Sequence, residues 1–454
     1  MSNRTAILAI IVLTYVMIVL DISIVLTGLP RIEAELGFTE AGLSWVSTAY
    51  TLCFGGFLLL GARLGDVFGR RRMFLTGLAI FAFASLLIGF AQGPGMLVAA
   101  RALQGMGAAV LAPSTLALLQ VTFAPGPERT RALAAYAAAA GVSASFGLVL
   151  GGVLADLVSW RAGFFLNLPV SLGLALAALR HVSDIDTQGG RIDLAGAATS
   201  TFGIGALVYG MIHSATAGWQ DAVTLATLAA GAFSLALFIL GQSRAVHPLL
   251  PLRLFASRAR SGAYLARLLF LGANVSFYFF MSQYFQQGLG YSALTTGLAF
   301  LPTTVVNFAA ALSGPRLIAR FGSGAVLITS LAASLIGFAG LAFITPDSGF
   351  WPGLMLPMVF LGFGQGGALA PLTAAGISGA AANDAGAASG VVNVAHQIGS
   401  SLGLAVLISV AAPAGGIIAR TAHAMTGGAA MIALTVGVAL AFGLVTRRRT
   451  VVAS

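Results

Sequence analysis

Gly61-Ala-Arg-Leu-Gly-Asp-Val-Phe-Gly-Arg-Arg-Arg72 and Gly314-Pro-Arg-Leu-Ile-Ala-Arg-Phe-Gly322 are the stretches on which the reading of this chain turns. Their first nine positions agree at five places, at an offset of 253 residues. A second pair, Leu111-Ala-Pro-Ser-Thr115 and Leu369-Ala-Pro-Leu-Thr373, agrees at four of five places at an offset of 258. Each pair occupies the same place within its half of the chain, so the two offsets point to one internal duplication. Duplicated halves around a central path place a ligand between them, near the bilayer midplane.

The surroundings of these stretches supply the bilayer. Of 454 residues, 58% are hydrophobic and 8% charged, against about a quarter charged in a soluble domain; mean hydropathy is +0.96. A hydrocarbon core of about 30 Å needs roughly 20 apolar residues per helix. Fourteen such runs are expected: 7–29, 43–62, 73–91, 96–121, 133–154 and 164–178, then 192–212 and 223–240, then six centred near 268, 294, 325, 354, 387 and 429. Boundaries are least defined around Arg267 and Ala411. The expected fold is an all-α integral membrane protein: a six-helix bundle over 1–182, an inserted helix pair with its loops over 183–256, and a second six-helix bundle with a short tail over 257–454. The 58 glycines suit this class, because small residues let membrane helices approach closely. The first run is too long for a signal-peptide core, carries Asp21 and lacks a small-residue cleavage site, so it is expected to remain as a helix. The single cysteine, Cys53, leaves no disulfide framework or cysteine metal site to expect.

Arginine placement orients the helices. All 23 basic residues are arginine. Alternate loops collect Arg4, Arg63, Arg70 to Arg72, Arg129, Arg131, Arg180, Arg191, Arg244, Arg253, Arg258, Arg260, Arg316, Arg320 and Arg447 to Arg449. The other loops hold only Arg31, Arg161 and Arg420, beside Glu33, Glu35, Glu40, Asp156, Asp221 and Asp347. The arginine-rich side is expected to be cytoplasmic, which puts both termini in the cytoplasm. The net charge of +10 is spread over segment ends with no aromatic-studded basic stripe, so no nucleic-acid partner is expected.

Two charges fall inside spans. Asp21 lies eight residues, about 12 Å, from the outer end of the first expected run, and Arg101 five residues, about 8 Å, into the fourth. An intramembrane acid and base face each other, backbone carbonyls or an interior cavity. Asp21 is expected to bind the proton and sense cations, with Arg101 tuning it; the alternative is a static pair that fixes packing. The position equivalent to Arg101 in the second half is Val359, leaving Gln104, Gln283, Gln286, Asn393, His396 and Gln397 as polar candidates for a substrate cavity. His396 either titrates near neutral pH or is packed and hydrogen-bonded. Gly61 to Arg72, with Arg70 and Arg71 in its basic cluster, reads as a cytoplasmic gate: Gly61 and Gly65 for close helix contact, Gly69 for the turn, Asp66 to accept from an arginine or a helix N-terminus; the alternative is a pure orientation signal.

These residues resemble the major facilitator superfamily, and within it the fourteen-helix drug/proton antiporter branch, over essentially the whole chain. Gly61 to Arg72 is similar to the superfamily signature after the second helix, and Arg101-Ala-Leu-Gln-Gly-Met-Gly107 to the fourth-helix motif whose arginine the resemblance implicates in proton coupling. Leu20-Asp-Ile-Ser23 with Leu29-Pro30 resembles the branch's first-helix motif. Trp160-Arg-Ala-Gly-Phe-Phe-Leu-Asn-Leu-Pro169 resembles the stretch that enters the sixth helix, and Asp193-Leu-Ala-Gly196 the opening of the inserted pair. Gly147, Gly151 and Gly152 stand where the fifth-helix antiporter motif has its glycines, with Leu148 replacing the usual proline. Leu26 replaces the usual asparagine and His396 a frequent arginine.

The resemblance implies a monomeric multidrug or antibiotic exporter in the cell membrane, driven by the proton motive force with no cofactor and no metal. Its partners would be lipid, protons and a small amphipathic organic substrate. The alternative is export or uptake of a single endogenous metabolite. No HExxH or phosphate-binding loop is present, and no G-x-S-x-G stands at a strand-to-helix turn, to suggest an enzyme or an ATP-driven pump.

Overall fold

The computed structural model describes residues 3–123, 126–183, 193–245, 248–345, 348–380 and 384–445. Arg191, Asp347 and Arg447 to Arg449, which entered the orientation argument, lie outside the described residues. The chain is a succession of long helices: α1 Arg4–Leu36, α2 Ala41–Phe68, α3 Arg70–Gly89 and α4 Pro94–Thr122, then α5 Pro127–Leu157 and α6 Trp160–His181. The inserted pair is α7 Leu194–Ala217 and α8 Ala222–Arg244. The second bundle is α9 Arg258–Gly288, α10 Ala293–Phe321, α11 Ser323–Leu341, α12 Phe350–Ile377, α13 Ala387–Ala411 and α14 Gly416–Ala441. All but α5 are apolar enough over their described residues to cross a membrane, and α5 has the length to do so.

Two corrections to the expected spans matter for function. The first helix runs to Leu36 rather than stopping near residue 29, so Asp21 lies 15 residues, about 22 Å, from its end. Pro30 sits inside α1 without ending it. Arg267, which looked like a span edge, lies nine residues inside α9, about 14 Å along the axis.

The duplication is visible in backbone geometry. The α2–α3 and α10–α11 turns each pivot on one glycine, Gly69 at φ 96° and Gly322 at φ 85°. Residues other than glycine avoid this region for steric reasons. Pro113 and Pro371 occupy matching places inside α4 and α12.

Small residues set the helix contacts. A Cβ on Gly61 would meet the Ala109 carbonyl of α4, and α9 and α13 cross where Gly272 meets Gly403. Besides the contact of α1 with α9, the bundles touch along two lateral seams. On one, α2 packs on α13, with Thr51 Oγ1 2.7 Å from Ser401 Oγ. On the other, α5 packs on α10, with Gly152 against the backbone of Ala293 and Leu294 and Gly297 against that of Leu148. Helix α7 lies over the first seam, contacting both α2 and α13. There Ser214 Oγ is 2.7 Å from Ser409 Oγ.

Candidate functional site

One face of the bundle pair is open and the other shut. A cavity of about 1110 Å³ runs between the bundles to the arginine-rich face, where Arg63, Asp66, Arg70, Asp193, Arg253 and Asp384 line its mouth. Toward the arginine-poor face α1 closes on α9: Ser282 Oγ donates to the Leu26 carbonyl at 2.6 Å and Gln286 Nε2 to the Thr27 carbonyl at 3.0 Å. Beyond them Asp156 of α5 accepts from the Leu294 amide at 2.7 Å, the Ala293 amide at 3.3 Å and Arg31 Nη2 at 2.8 Å. A carboxylate suits that place because the first amides of α10 have no acceptor within their own helix. Gly147 and Gly151 press α5 onto Leu20, Ser23 and Ile24 of α1, so α5 is clasped between α1 and α10.

Asp21 and Arg101 meet. Arg101 Nη1 donates to Asp21 Oδ2 at 2.7 Å, with the side chains 1% and 2% exposed. Asp21 Oδ1 accepts from Gln104 Nε2 at 2.9 Å and Asn167 Nδ2 at 2.7 Å. Ser85 Oγ accepts from the same two amides, at 2.9 and 3.2 Å, and donates to the Phe81 carbonyl. Arg101 also donates Nε–H to the Val46 carbonyl at 2.8 Å and Nη1–H to Gln104 Oε1 at 2.5 Å. Its guanidinium lies over the Tyr50 ring at 4.4 Å, a favourable cation–aromatic arrangement in a dry site. Among the described residues, each hydrogen bond to the Asp21 carboxylate comes from a donor, as an anion out of water requires.

The local sequence explains how four helices converge here. On α4, Gly105 packs on the Tyr50 carbonyl of α2, while Gly107 packs on Phe81 of α3. That approach lets Arg101 reach both Val46 and Asp21. On α6, Trp160, Gly163 and Asn167 fall on one helical face. Trp160 Nε1 donates to Glu35 at 2.5 Å, Arg161 pairs with Glu35 and donates to the Ala91 carbonyl, and Gly163 packs on Ile24. Asn167, seven residues on from Trp160, lands on Asp21.

Other expected site residues scatter. Asp66 accepts from Arg70 Nη2 at 3.2 Å across the Gly69 turn, and Arg71 donates to the Leu179 carbonyl of α6. Gly65 is not a close-contact glycine: a Cβ there would meet nothing nearer than 3.9 Å. Asn393, His396 and Gln397 line the cavity, whereas Gln104 and Gln283 do not. Gln104 is turned into the Asp21 cluster. Gln283 lies 16 residues beyond Arg267 on α9, about 24 Å, level with the closed side. His396 is hydrogen-bonded: its Nδ1 lies 3.2 Å from Arg267 Nη2 and must accept, since a guanidinium only donates.

Sequence reasoning left Ser85 and Tyr50 out, and placed Asn167 only in a motif. It also missed the wall formed by Arg267, Asn274, Tyr278, Asn307 and Gln365, all of which line the cavity. On α9 the positions 267, 274 and 278 share one face, a polar stripe that was legible in principle.

Comparison with known proteins fits this architecture. The family model described as Major Facilitator Superfamily matches residues 11–404. The chain is 39% identical over 414 residues to the cephamycin export protein CmcT of Amycolatopsis lactamdurans, covering 90% of this chain and 85% of that one. It is 38% identical over 409 residues to the puromycin resistance protein pur8 of Streptomyces alboniger, covering 89% and 81%. The crystal structure of the peptide transporter POT in complex with sulfate superposes with a TM-score of 0.71 at 14% identity, covering 97% of this chain and 94% of that one. With fourteen long helices among the described residues, a duplicated core and a path between its halves, the chain belongs to the Major Facilitator Superfamily and is a multi-pass membrane transporter.

Proposed function

We propose that this chain exports small amphipathic organic compounds, antibiotics or other drugs, in exchange for protons, by alternating access. The observation that carries the reading is the buried Asp21–Arg101 pair beside a cavity of about 1110 Å³ that opens on one face only. The sequence relatives, named for cephamycin export and puromycin resistance, support the export direction. In this reading the arginine-rich face and both termini are cytoplasmic. Residues 1–182 and 257–454 rock against each other, with 183–256 riding on one seam.

The coupling follows from what Asp21 touches. Three donors hold its two oxygens and each favours the ionised form, so withdrawal of Arg101, Gln104 or Asn167 raises the carboxylate's affinity for a proton. Rearrangement of α1 against α4 and α6 during the switch provides that withdrawal, and neutralising the carboxylate frees Arg101 from its partner. The test is uptake of a fluorescent amphipathic dye into inverted membrane vesicles under an imposed pH gradient. Wild-type protein should concentrate the dye and lose it on collapse of the gradient, and Asp21→Asn should abolish gradient-driven uptake. Uptake indifferent to the gradient, or undiminished in Asp21→Asn, would remove the proton from the mechanism.

A further inference from the structure

The two buried arginines on the cavity wall differ in their company. Arg101 has Asp21. Arg267 is 6% exposed and bonds only neutral acceptors: Nη1 donates to Thr373 Oγ1 at 2.7 Å and Nη2 to His396 Nδ1 at 3.2 Å, while Nε has no acceptor. Among the described residues no carboxylate forms an ion pair with it. The aspartates of the mouth are engaged elsewhere: Asp66 with Arg70, Asp384 with Arg253, and Asp193 with the Gly196 amide and Gln242. A guanidinium kept out of water without a counter-charge is costly, and here it lines the cavity between the bundles.

We propose that the substrates of this transporter are amphipathic organic anions and that Arg267 receives their carboxylate. The proposal rests on the export reading above and names the substrate class for that cavity. Arg267 suits the role because a guanidinium meets a carboxylate through paired, charge-assisted hydrogen bonds. Further along the same face of α9, about 10 Å from Arg267 by helix rise, Asn274 Oδ1 is buried without a donor. On the facing α12, Gln365 Nε2 is buried without an acceptor, although Gln365 Oε1 accepts from Tyr278 at 2.9 Å. An amide in the substrate would satisfy both, accepting from Gln365 and donating to Asn274. Ile18, Ile22, Leu26, Phe54 and Phe270 supply apolar wall for the rest.

Three probes that share one fluorophore but differ in charge test this on purified full-length protein in nanodiscs. They are dansyl-phenylalanine (anionic), its methyl ester (neutral) and dansylcadaverine (cationic). Wild-type protein should bind the anion about ten-fold or more tightly than the ester, the size expected of a charge-assisted hydrogen-bond pair, although the ester is more apolar. Arg267→Gln should bring the two within about two-fold, while Arg267→Lys keeps part of the preference. The wild-type comparison stands even if a variant fails to fold. Equal or tighter binding of the ester or of dansylcadaverine to wild type, or an unchanged preference in Arg267→Gln, overturns the proposal while leaving the export reading intact. No binding of any probe, together with no movement of any into inverted vesicles, overturns the export reading and this proposal with it.

Discussion

The first bundle buries an acid with a base, and the second buries a base alone. Around Asp21 every partner is accounted for: Arg101, Gln104, Asn167 and Ser85 from three other helices form a closed set of donors and acceptors. Around Arg267 the set is open, with two neutral acceptors and an unused Nε–H. A closed cluster can hold helices in place and release them when one charge is neutralised. An open one waits for a group from outside the protein. Duplication therefore supplied two similar scaffolds, and the charges on them have diverged into one site that resists water and one that awaits a ligand.

The sharpest way to break this comparison is to remove one charge at a time. Asp21→Asn strands Arg101 and should destabilise the folded protein by about 3–5 kcal/mol, as does removal of one partner from a buried pair. The double variant Asp21→Asn with Arg101→Gln should regain much of that loss, because it leaves no lone ion. Thermal unfolding in one detergent reads both, and a single variant as stable as wild type would show that the cluster is not closed in the sense used here. Arg267→Gln strands no acid, so its cost should stay within about 1 kcal/mol, the range of one or two neutral hydrogen bonds. A loss as large as that of Asp21→Asn would mean that Arg267 is a structural ion and would erase the contrast.

The smallest effect lies at the mouth. Arg253 donates two hydrogen bonds to Asp384, at 2.6 and 2.7 Å, and holds that carboxyl below its ordinary value of 3.8. A depressed folded pKa adds stability above the unfolded value, and that stability is lost as the pH falls through the folded one. Wild type should therefore exceed Asp384→Asn slightly at pH 7, and the gap should close progressively below about pH 4. Since the Arg253 side chain is 67% exposed, added salt should shrink the gap as well. A gap that persists at low pH would assign the contribution to packing rather than charge.

Much of the architecture was legible because hydropathy and the Gly69/Gly322 repeat each constrain it independently. Asp21 and Arg101 stood out because charges are rare at membrane depth. Their supporting residues did not, since Ser85 and Asn167 carry no charge and acquire meaning only when four helices converge. Arg267 was hidden by a different effect. A lone arginine in an apolar run reads as the edge of a span, and only the packing of α9 shows that it lies inside. Gln283 misled for the opposite reason, because a polar residue at membrane depth need not face the path when its level of the helix is sealed.

The placement of α7 over the α2–α13 seam removes the left–right equivalence that a two-bundle transporter would otherwise have toward the lipid. No described helix covers the α5–α10 seam in the same way. The lipid thus meets two unlike flanks, one roofed by an extra helix and one where the α5–α10 seam itself is the outer surface.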